Sequence, residues 1–152
     1  MQKLNLPDCQ LITKESEGQI RVLDFVRQKF VALTAEEWVR QYFLHFMVFH
    51  RQFPKGLIKV EQKVLISGMP QRADIVAHSK NGSPLMVVEC KAPEVCLSRD
   101  TFAQAARYNL TVKAPYLTIT NGLNHFCCKI DLANGKFTFL DGFPSFSEID
   151  AG

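Results

Sequence analysis

The sequence lacks the features that mark membrane, secreted or fibrous chains. Its longest apolar stretch, residues 42–49, is interrupted by His45, whereas a membrane-spanning helix needs roughly 20 apolar residues. Residues 1–8 contain no apolar segment of a secretory signal. Eight glycines and seven prolines are too few for a collagenous or low-complexity chain. We therefore expect a folded cytoplasmic protein without a membrane partner, and 152 residues suit a single domain over 1–152.

Cysteine and histidine are present without the spacing of a metal site. No Cys-x-x-Cys pair occurs among the five cysteines, and the adjacent Cys127 and Cys128 would point to opposite faces of a strand. We therefore expect free thiols in a reducing compartment. The four histidines also lack metal-ligand or triad spacing. The phosphate loop G-x-x-x-x-G-K-[ST] is absent, and the chain is too short to contain an ATP-driven motor beside another domain.

A strong excess of one charge is also missing. Lys and Arg number 18 and Asp and Glu 15, a net charge of +3, which permits an anionic partner without requiring one. The charge is unevenly placed, because residues 21–63 hold eight basic and four acidic residues. Residues 131–152 carry a net −3, and we expect this end, with its acidic tail over 141–152, to avoid a polyanion.

The hydrophobic pattern predicts an alternation of helices and strands. Thr34 and Glu37 form a capping-box pattern before a helix that runs to about Phe49. The Asn81-Gly82 turn makes the two strands around it an antiparallel hairpin. Strands are predicted at 20–25, 57–66, 73–77, 84–90, 116–120, 124–130 and 136–140, with a second helix at 100–110. From the first helix onward the order is α-β-β-β-α-β plus a C-terminal β-hairpin, which predicts an α/β or α+β domain with a mixed sheet flanked by helices.

Two carboxylates and a lysine are predicted to meet on the central strands. Glu89 and Lys91 are two residues apart, so their side chains leave the same face of the strand. The hairpin can bring Asp74 alongside Glu89. Neighbouring buried carboxylates repel each other, and a hard divalent cation such as Mg²⁺ relieves that repulsion. A lysine beside the metal can orient a water molecule, which suits phosphodiester hydrolysis; a surface ion pair of Glu89 and Lys91 is the alternative.

These residues resemble the PD-(D/E)xK nuclease superfamily. Asp74, the Glu89-Cys90-Lys91 segment and the pair Gln104 and Tyr108 match its signature and its Q-x-x-x-Y helix motif, although Ala73 stands where the superfamily name has proline. Over about residues 20–130 the chain resembles the N-terminal nuclease domain of type I restriction enzyme R subunits. The wider match lies in residues 36–41, 72–76, 88–93 and 120–122. The resemblance implies a restriction-endonuclease-like fold.

The same resemblance implies a metal site. Asp74 and Glu89 would bind Mg²⁺, with Mn²⁺ as a substitute, and Lys91 would assist the attacking water. A glutamate on the first helix would complete the site. We prefer Glu36, with Glu37 as the alternative, because Glu37 is expected to serve the capping box.

Further residues are candidates for contact with DNA. Gln104 and Tyr108 lie one helical turn apart. The resemblance implies that both side chains support the active site and contact the DNA backbone, and that Gln104 is also one of the catalytic residues. Arg72, Arg40 and Arg107 are candidates for phosphate contact, and pairing with an acidic side chain is the alternative for each.

The expected function is that of a metal-dependent DNA endonuclease domain, similar to a type I restriction R subunit but without its motor. DNA is the expected partner, and other restriction-modification or helicase subunits would supply DNA engagement. The alternative is a catalytically weak or inactive nuclease-fold module that binds DNA or a protein partner. An RNA-processing or repair nuclease is a third possibility, because the same metal chemistry serves either polymer.

Overall fold

A computed structural model describes residues 1–150, apart from the side chains of Val64, Ile66 and Tyr108. The described chain contains the strands and helices that follow in order. They are β1 (Thr13–Ser16), β2 (Gln19–Asp24), β3 (Lys29–Ala32), α1 (Ala35–His50), β4 (Ile58–Ile66), β5 (Met69–His78), β6 (Pro84–Cys90), α2 (Arg99–Val112), β7 (Tyr116–Thr120), β8 (His125–Asp131), β9 (Lys136–Phe139) and α3 (Phe146–Ile149).

The strands form two sheets. Strands β1, β2 and β3 make a small antiparallel sheet, and β4 to β9 make a six-stranded sheet whose spatial order follows the chain. Neighbours in the large sheet are antiparallel except β6 and β7, which are parallel. The chain passes from β6 to β7 through α2, because a parallel pair needs a long crossover connection. The predicted mixed sheet between helices is confirmed.

The two long helices cover opposite faces of the large sheet. From α1, Val39 and Phe43 pack in one apolar cluster with Val88 of β6, and Ala105 of α2 packs in a second cluster with Val87 of the same strand. Since β6 is buried on both faces, its sequence is a nearly continuous apolar run. The charged residue that interrupts this run is Glu89, near the C-terminal end of the strand, and it is buried. No described helix has the length and apolarity needed to span a membrane.

The start of α1 is as predicted, but its capping box is half formed. The Thr34 side chain accepts a hydrogen bond from the backbone N–H of Glu37 at 3.0 Å, which satisfies one unpaired donor of the first turn. The Glu37 side chain does not return this bond, because Arg40 and Gln41 donate to its two carboxylate oxygens. The expectation that Glu37 serves the capping box is therefore wrong.

The strands before α1 and the β4–β5 hairpin extend beyond the predicted ones. A single strand was expected before α1, whereas the structure has the three strands β1 to β3, whose first turn is built on Glu17 and Gly18 with positive φ. The β4–β5 hairpin turns at Ser67 and Gly68, again with positive φ, so that β5 begins four residues before the predicted strand. Neither turn contains the Asn-Gly pair found in the β5–β6, β7–β8 and β8–β9 turns.

The acidic C-terminal segment is anchored to the core as far as it is described. In α3, Phe146 and Ile149 are buried against the α1 side of the sheet, and Ser145 and Glu148 form a capping box at the helix start. The acidic segment 141–150 is thus attached to the core through the buried side chains of Phe146 and Ile149. The remainder of the predicted tail, residues 151–152, lies outside the described residues.

Replacing Gly122 by alanine is expected to destabilise the fold by about 2–4 kcal/mol. Its φ of +85° is unfavourable for an L side chain, and an added Cβ would lie 2.7 Å from Leu4 Cδ2 and 3.1 Å from Val39 Cγ2. Gly135 is the matched control, because it has a similar φ of +72° but no atom within 4 Å of an added Cβ. Its change to alanine should lose only about 1–2 kcal/mol. Urea unfolding of both variants measures the difference, and equal losses would contradict the close packing at Gly122.

Candidate active site

The predicted carboxylates and lysine meet at the end of β6. The pairing of Ile75 with Val88 sets Asp74 opposite Glu89, and Asp74 Oδ2 accepts a hydrogen bond from the backbone N–H of Cys90 at 2.8 Å. Lys91 Nζ lies 3.6 Å from Glu89 Oε1. Asp74 and Glu89 are only 7% and 5% exposed, so neither is an ordinary surface acid.

Arg40 connects α1 to this cluster. Its Nη2 donates to Asp74 Oδ1 at 2.8 Å and its Nη1 donates to Glu37 Oε1 at 2.5 Å. Glu36 and Glu61 lie at ion-pair distance, 3.4 Å from the same guanidinium. Because Arg40 is buried among four carboxylates, it has the acid pairing that was the alternative to phosphate contact.

The two glutamates at the start of α1 have different surroundings. Glu37 is buried, and both of its oxygens accept hydrogen bonds, from Arg40 and from Gln41 Nε2 at 2.9 Å. Glu36 is partly exposed, and the charges of Asp74 and Lys91 act on it. Glu36 is therefore better placed than Glu37 to accept a ligand. The reason is that Arg40 and Gln41 occupy both oxygens of Glu37, and not that Glu37 serves the capping box.

The cluster carries more negative charge than its cations neutralise. Burial, followed by repulsion from Asp74, raises the pKa of Glu89 to about 8, although Lys91 acts in the opposite direction. The same two causes raise the pKa of Glu36. Among the described atoms, Glu89 Oε2 is buried and accepts no hydrogen bond, and hydrogen bonding to Asp74 adds to the rise in the pKa of Glu89. A buried, unpartnered carboxylate oxygen is uncommon in folded proteins and calls for a ligand or a proton.

Of the remaining predicted residues whose side chains are described, one contacts Lys91 and the others lie outside the carboxylate cluster. Gln104 of α2 accepts a hydrogen bond through Oε1 from Lys91 Nζ at 3.4 Å. Tyr108 follows one turn later on α2, and its side chain lies outside the described residues. Arg72 is exposed and pairs with Glu61 at 3.3 Å, whereas Arg107 lines a groove along the second half of α2.

Glu61 was not predicted, although it is central to the site. It lies in β4 opposite Asp74, with a φ of +52° that is rare for a non-glycine residue inside a strand. Its carboxylate pairs with Arg40, with Arg72 and with Arg27 of the β2–β3 turn. The sequence offers little signal for this role, because β4 also contains Lys59, Gln62 and Lys63 and Glu61 does not stand out among them. A cleft of about 570 Å³ opens in front of Glu61 between the small sheet and α1.

The donor set fits a hydrated hard cation. Within the described residues, no three His, Cys, Asp or Glu side chains form a preformed metal cage. Mg²⁺ does not require one, because it is commonly held by one or two carboxylates and keeps several waters. Glu89 offers a free oxygen, Glu36 lies nearby, and Asp74 would have to share an oxygen that now accepts from Arg40 or Cys90.

The sequence matches a known protein family over most of its length. Residues 35–144 match the family model described as type I restriction enzyme R protein N terminus. The chain belongs to this family. The predicted resemblance to the N-terminal domain of type I restriction enzyme R subunits is thereby confirmed. The match begins at α1, so the small β1–β3 sheet precedes the matched residues.

One solved structure supports the fold. The chain is similar to a fragment described as an HsdR subunit of a type I restriction enzyme from Vibrio vulnificus YJ016, with a TM-score of 0.55 and 20% sequence identity. The likeness covers 77% of this chain but only 24% of that one, so the chain spans about a quarter of that relative's length. At this identity the likeness shows the fold alone, and it agrees with the predicted restriction-endonuclease-like architecture. A search of curated proteins finds no match.

Removing the Arg40 charge should destabilise the fold strongly. An Arg40→Gln variant leaves Asp74 and Glu37 buried without their cation, and breaking a buried ion pair in this way costs about 3–5 kcal/mol. Arg72→Gln is the control, because that side chain is 70% exposed and its loss should change stability by about 0.5 kcal/mol or less. Urea unfolding checks both values, and a small effect of Arg40→Gln would show that the pairs contribute little.

The stability of the metal-free protein should fall between about pH 5 and pH 8. The raised pKa of Glu89 means that the folded protein keeps a proton that the unfolded chain releases above pH 4.5. The folded state therefore binds more protons in this range, and its stability decreases as the pH rises through it. Glu89→Gln should flatten the profile, whereas the exposed Glu94→Gln should not. Urea unfolding in EDTA at several pH values measures it; a wild-type profile that matches that of Glu89→Gln would contradict the burial of an acid here.

Proposed function

We propose that this domain is a divalent-metal-dependent endonuclease that hydrolyses phosphodiester bonds in DNA. The observation that carries the proposal is the meeting of Asp74, Glu89 and Lys91, with one buried Glu89 oxygen left without a partner. Perturbed acids gathered at one point of a fold are typical of functional sites. Membership of the R-subunit N-terminal family supports the same reaction class.

The chain's own residues have distinct parts in this proposal. Glu89 and Asp74, with Glu36, would hold Mg²⁺ or Mn²⁺, and a bound ion would supply Lewis acidity toward the phosphate and the attacking water. Lys91, fixed between Glu89 and Gln104, orients the attacking water or stabilises charge on the phosphate. Arg40 positions Asp74 by a direct hydrogen bond and does not contact DNA.

The DNA backbone is proposed to contact exposed groups around this point. Arg72 and Arg107 are exposed, and Gln104 and Tyr108 follow on the helix that faces Lys91. Other restriction-modification or helicase subunits would bring the DNA to the domain. Action in the cytoplasm agrees with the cysteines, all five of which are free thiols.

A non-catalytic module is the second candidate, and one observation favours it. Both oxygens of Asp74 already accept hydrogen bonds, from Arg40 and from the backbone of Cys90. A site whose first carboxylate is neutralised internally has less need of a metal ion. Such a domain would keep the nuclease fold and bind DNA or a protein partner without cutting.

Plasmid cleavage tests the catalytic proposal. We expect nicking by the wild type with Mg²⁺ or Mn²⁺, and a loss of about a hundredfold or more in Asp74→Asn and Lys91→Ala, because each removes a group that acts in the reaction. Asp141→Asn, an exposed acid outside the cluster, is the control and should cut like the wild type. Activity that survives both site substitutions would exclude this mechanism.

A binding measurement separates the two candidate functions. Mg²⁺ at 100 times its dissociation constant should stabilise the wild type by about 2.7 kcal/mol and leave Glu89→Gln unchanged. The absence of both cleavage and Mg²⁺-dependent stabilisation would favour the non-catalytic module.

A further inference from the structure

A row of phenylalanines lies exposed on the α2 side of the last hairpin. In the β8–β9 pairing, Cys128 faces Phe139 and Ile130 faces Phe137, so these four residues and Phe126 share one face. Phe102 of α2 packs against the two β9 rings, with centroids 5.0 Å from Phe137 and 5.7 Å from Phe139. Even so, Phe126, Phe137 and Phe139 remain 46%, 42% and 59% exposed. This much exposed aromatic surface is characteristic of a binding site.

These rings line a groove that runs along α2. Two adjoining hollows of about 430 and 460 Å³ meet at Phe137, one beside the start of the helix and the other beside its end. We call them together the aromatic groove. The exposed side chains of Leu110 and Leu132 extend its apolar lining.

The charges around the aromatic groove are of one sign. Arg99 lies at the beginning of α2, Arg107 in its middle and Lys113 at its C-terminal cap, and all three contribute to the lining. Among the described residues that line the groove, none is Asp or Glu. An anionic occupant is therefore favoured over a neutral or basic one. Leu132, Phe137 and Phe139 belong to the segment 131–152 that was expected to avoid a polyanion, but the acidic Asp131 does not line the groove.

One end of the aromatic groove lies next to the proposed active site. Glu89 of β6 is in register with Ile119 of β7, which is in register with Phe126 of β8. Side chains paired in this way project from the same face, and neighbouring strands are about 4.8 Å apart. Ile119 and Phe126 both line the groove, so its aromatic surface begins about 10 Å from Glu89.

The dimensions and chemistry match a single strand of nucleic acid. Arg99 and Lys113 are fourteen residues apart, about 21 Å along a helix, which corresponds to about six stacked nucleotides at 3.4 Å each. Exposed rings stack on unpaired bases, whereas a duplex hides the faces of its bases. We propose that the aromatic groove binds an unpaired strand of nucleic acid, with bases on the phenylalanines and phosphates on the three cations, and leads that strand past Glu89. The role as a path to the cleavage site rests on the proposed nuclease function; the binding itself does not.

Anisotropy of a fluorescein-labelled 20-nucleotide oligo(dT) measures this binding for the full chain in EDTA. We expect the wild type to bind it more tightly than a duplex of equal length. Phe126→Ala and Phe139→Ala should each weaken it about tenfold. Arg107→Gln should also weaken it and reduce the slope of log affinity against log salt by about 0.7. Thr138 and Lys136 lie on the opposite face of β9. Thr138→Ala is therefore the control for the phenylalanine variants and Lys136→Gln the control for Arg107→Gln, and both should bind like the wild type.

The outcomes separate the proposal from its alternatives. Absence of oligonucleotide binding, or equal binding by the phenylalanine variants and the controls, overturns the groove as a strand site. A wild-type dimer in sedimentation that Phe139→Ala dissociates, without strand binding, assigns the groove to a second copy of the chain and also overturns the proposal. Plasmid cleavage measured in parallel keeps the two functions apart: cleavage without strand binding overturns the groove alone, and strand binding without cleavage supports the groove and overturns the nuclease.

Discussion

The buried guanidinium of Arg40 is the interaction on which the proposed site depends. A buried charge is costly unless it is paired and hydrogen-bonded, and Arg40 meets this requirement through Glu37 on its own helix and Asp74 on β5. Together these ion pairs fix the position of α1 relative to the large sheet. Asp74, held on one oxygen, turns its other oxygen to the Cys90 backbone and so fixes the end of β6. The positions of Glu89 and Lys91 follow from that end.

Neutralisation by Arg40 is incomplete, and this has a physical meaning. Glu89 remains buried with a raised pKa and an unpartnered oxygen, an arrangement that weakens the fold by itself. An apolar residue at this position of β6 would continue the core more favourably. Locally unfavourable choices of this kind are expected where function opposes stability. Glu89 lies within residues 35–144, the part of the chain that matches the R-subunit N-terminal family.

What the sequence predicts well is local. The Thr34 cap, the Asn81-Gly82 hairpin and the two-residue spacing of Glu89 and Lys91 each depend on a few neighbouring residues, and each places a site element correctly. The pairs of Arg40 with Asp74 and of Arg27 with Glu61 each join residues 34 positions apart, and a single sequence does not show which distant residues meet. The small β1–β3 sheet was largely missed for a related reason. The β1–β2 turn is formed by Glu17 and Gly18, which are not a strong turn pair in the sequence. The strands are held together by hydrogen bonds between neighbouring strands, which a local sequence pattern does not reveal.

The single parallel pair in the large sheet ties the two proposed surfaces together. Because β6 and β7 are parallel, the chain needs a crossover connection between them, and α2 forms that connection. Gln104 of α2 contacts Lys91, and Arg107, about one turn further along the helix, lines the aromatic groove. An antiparallel hairpin at this position would bring Ile119 beside Glu89 equally well but would supply neither contact. The crossover helix therefore provides both the partner of the lysine and one wall of the groove, so that a strand held along α2 is already directed toward the carboxylates.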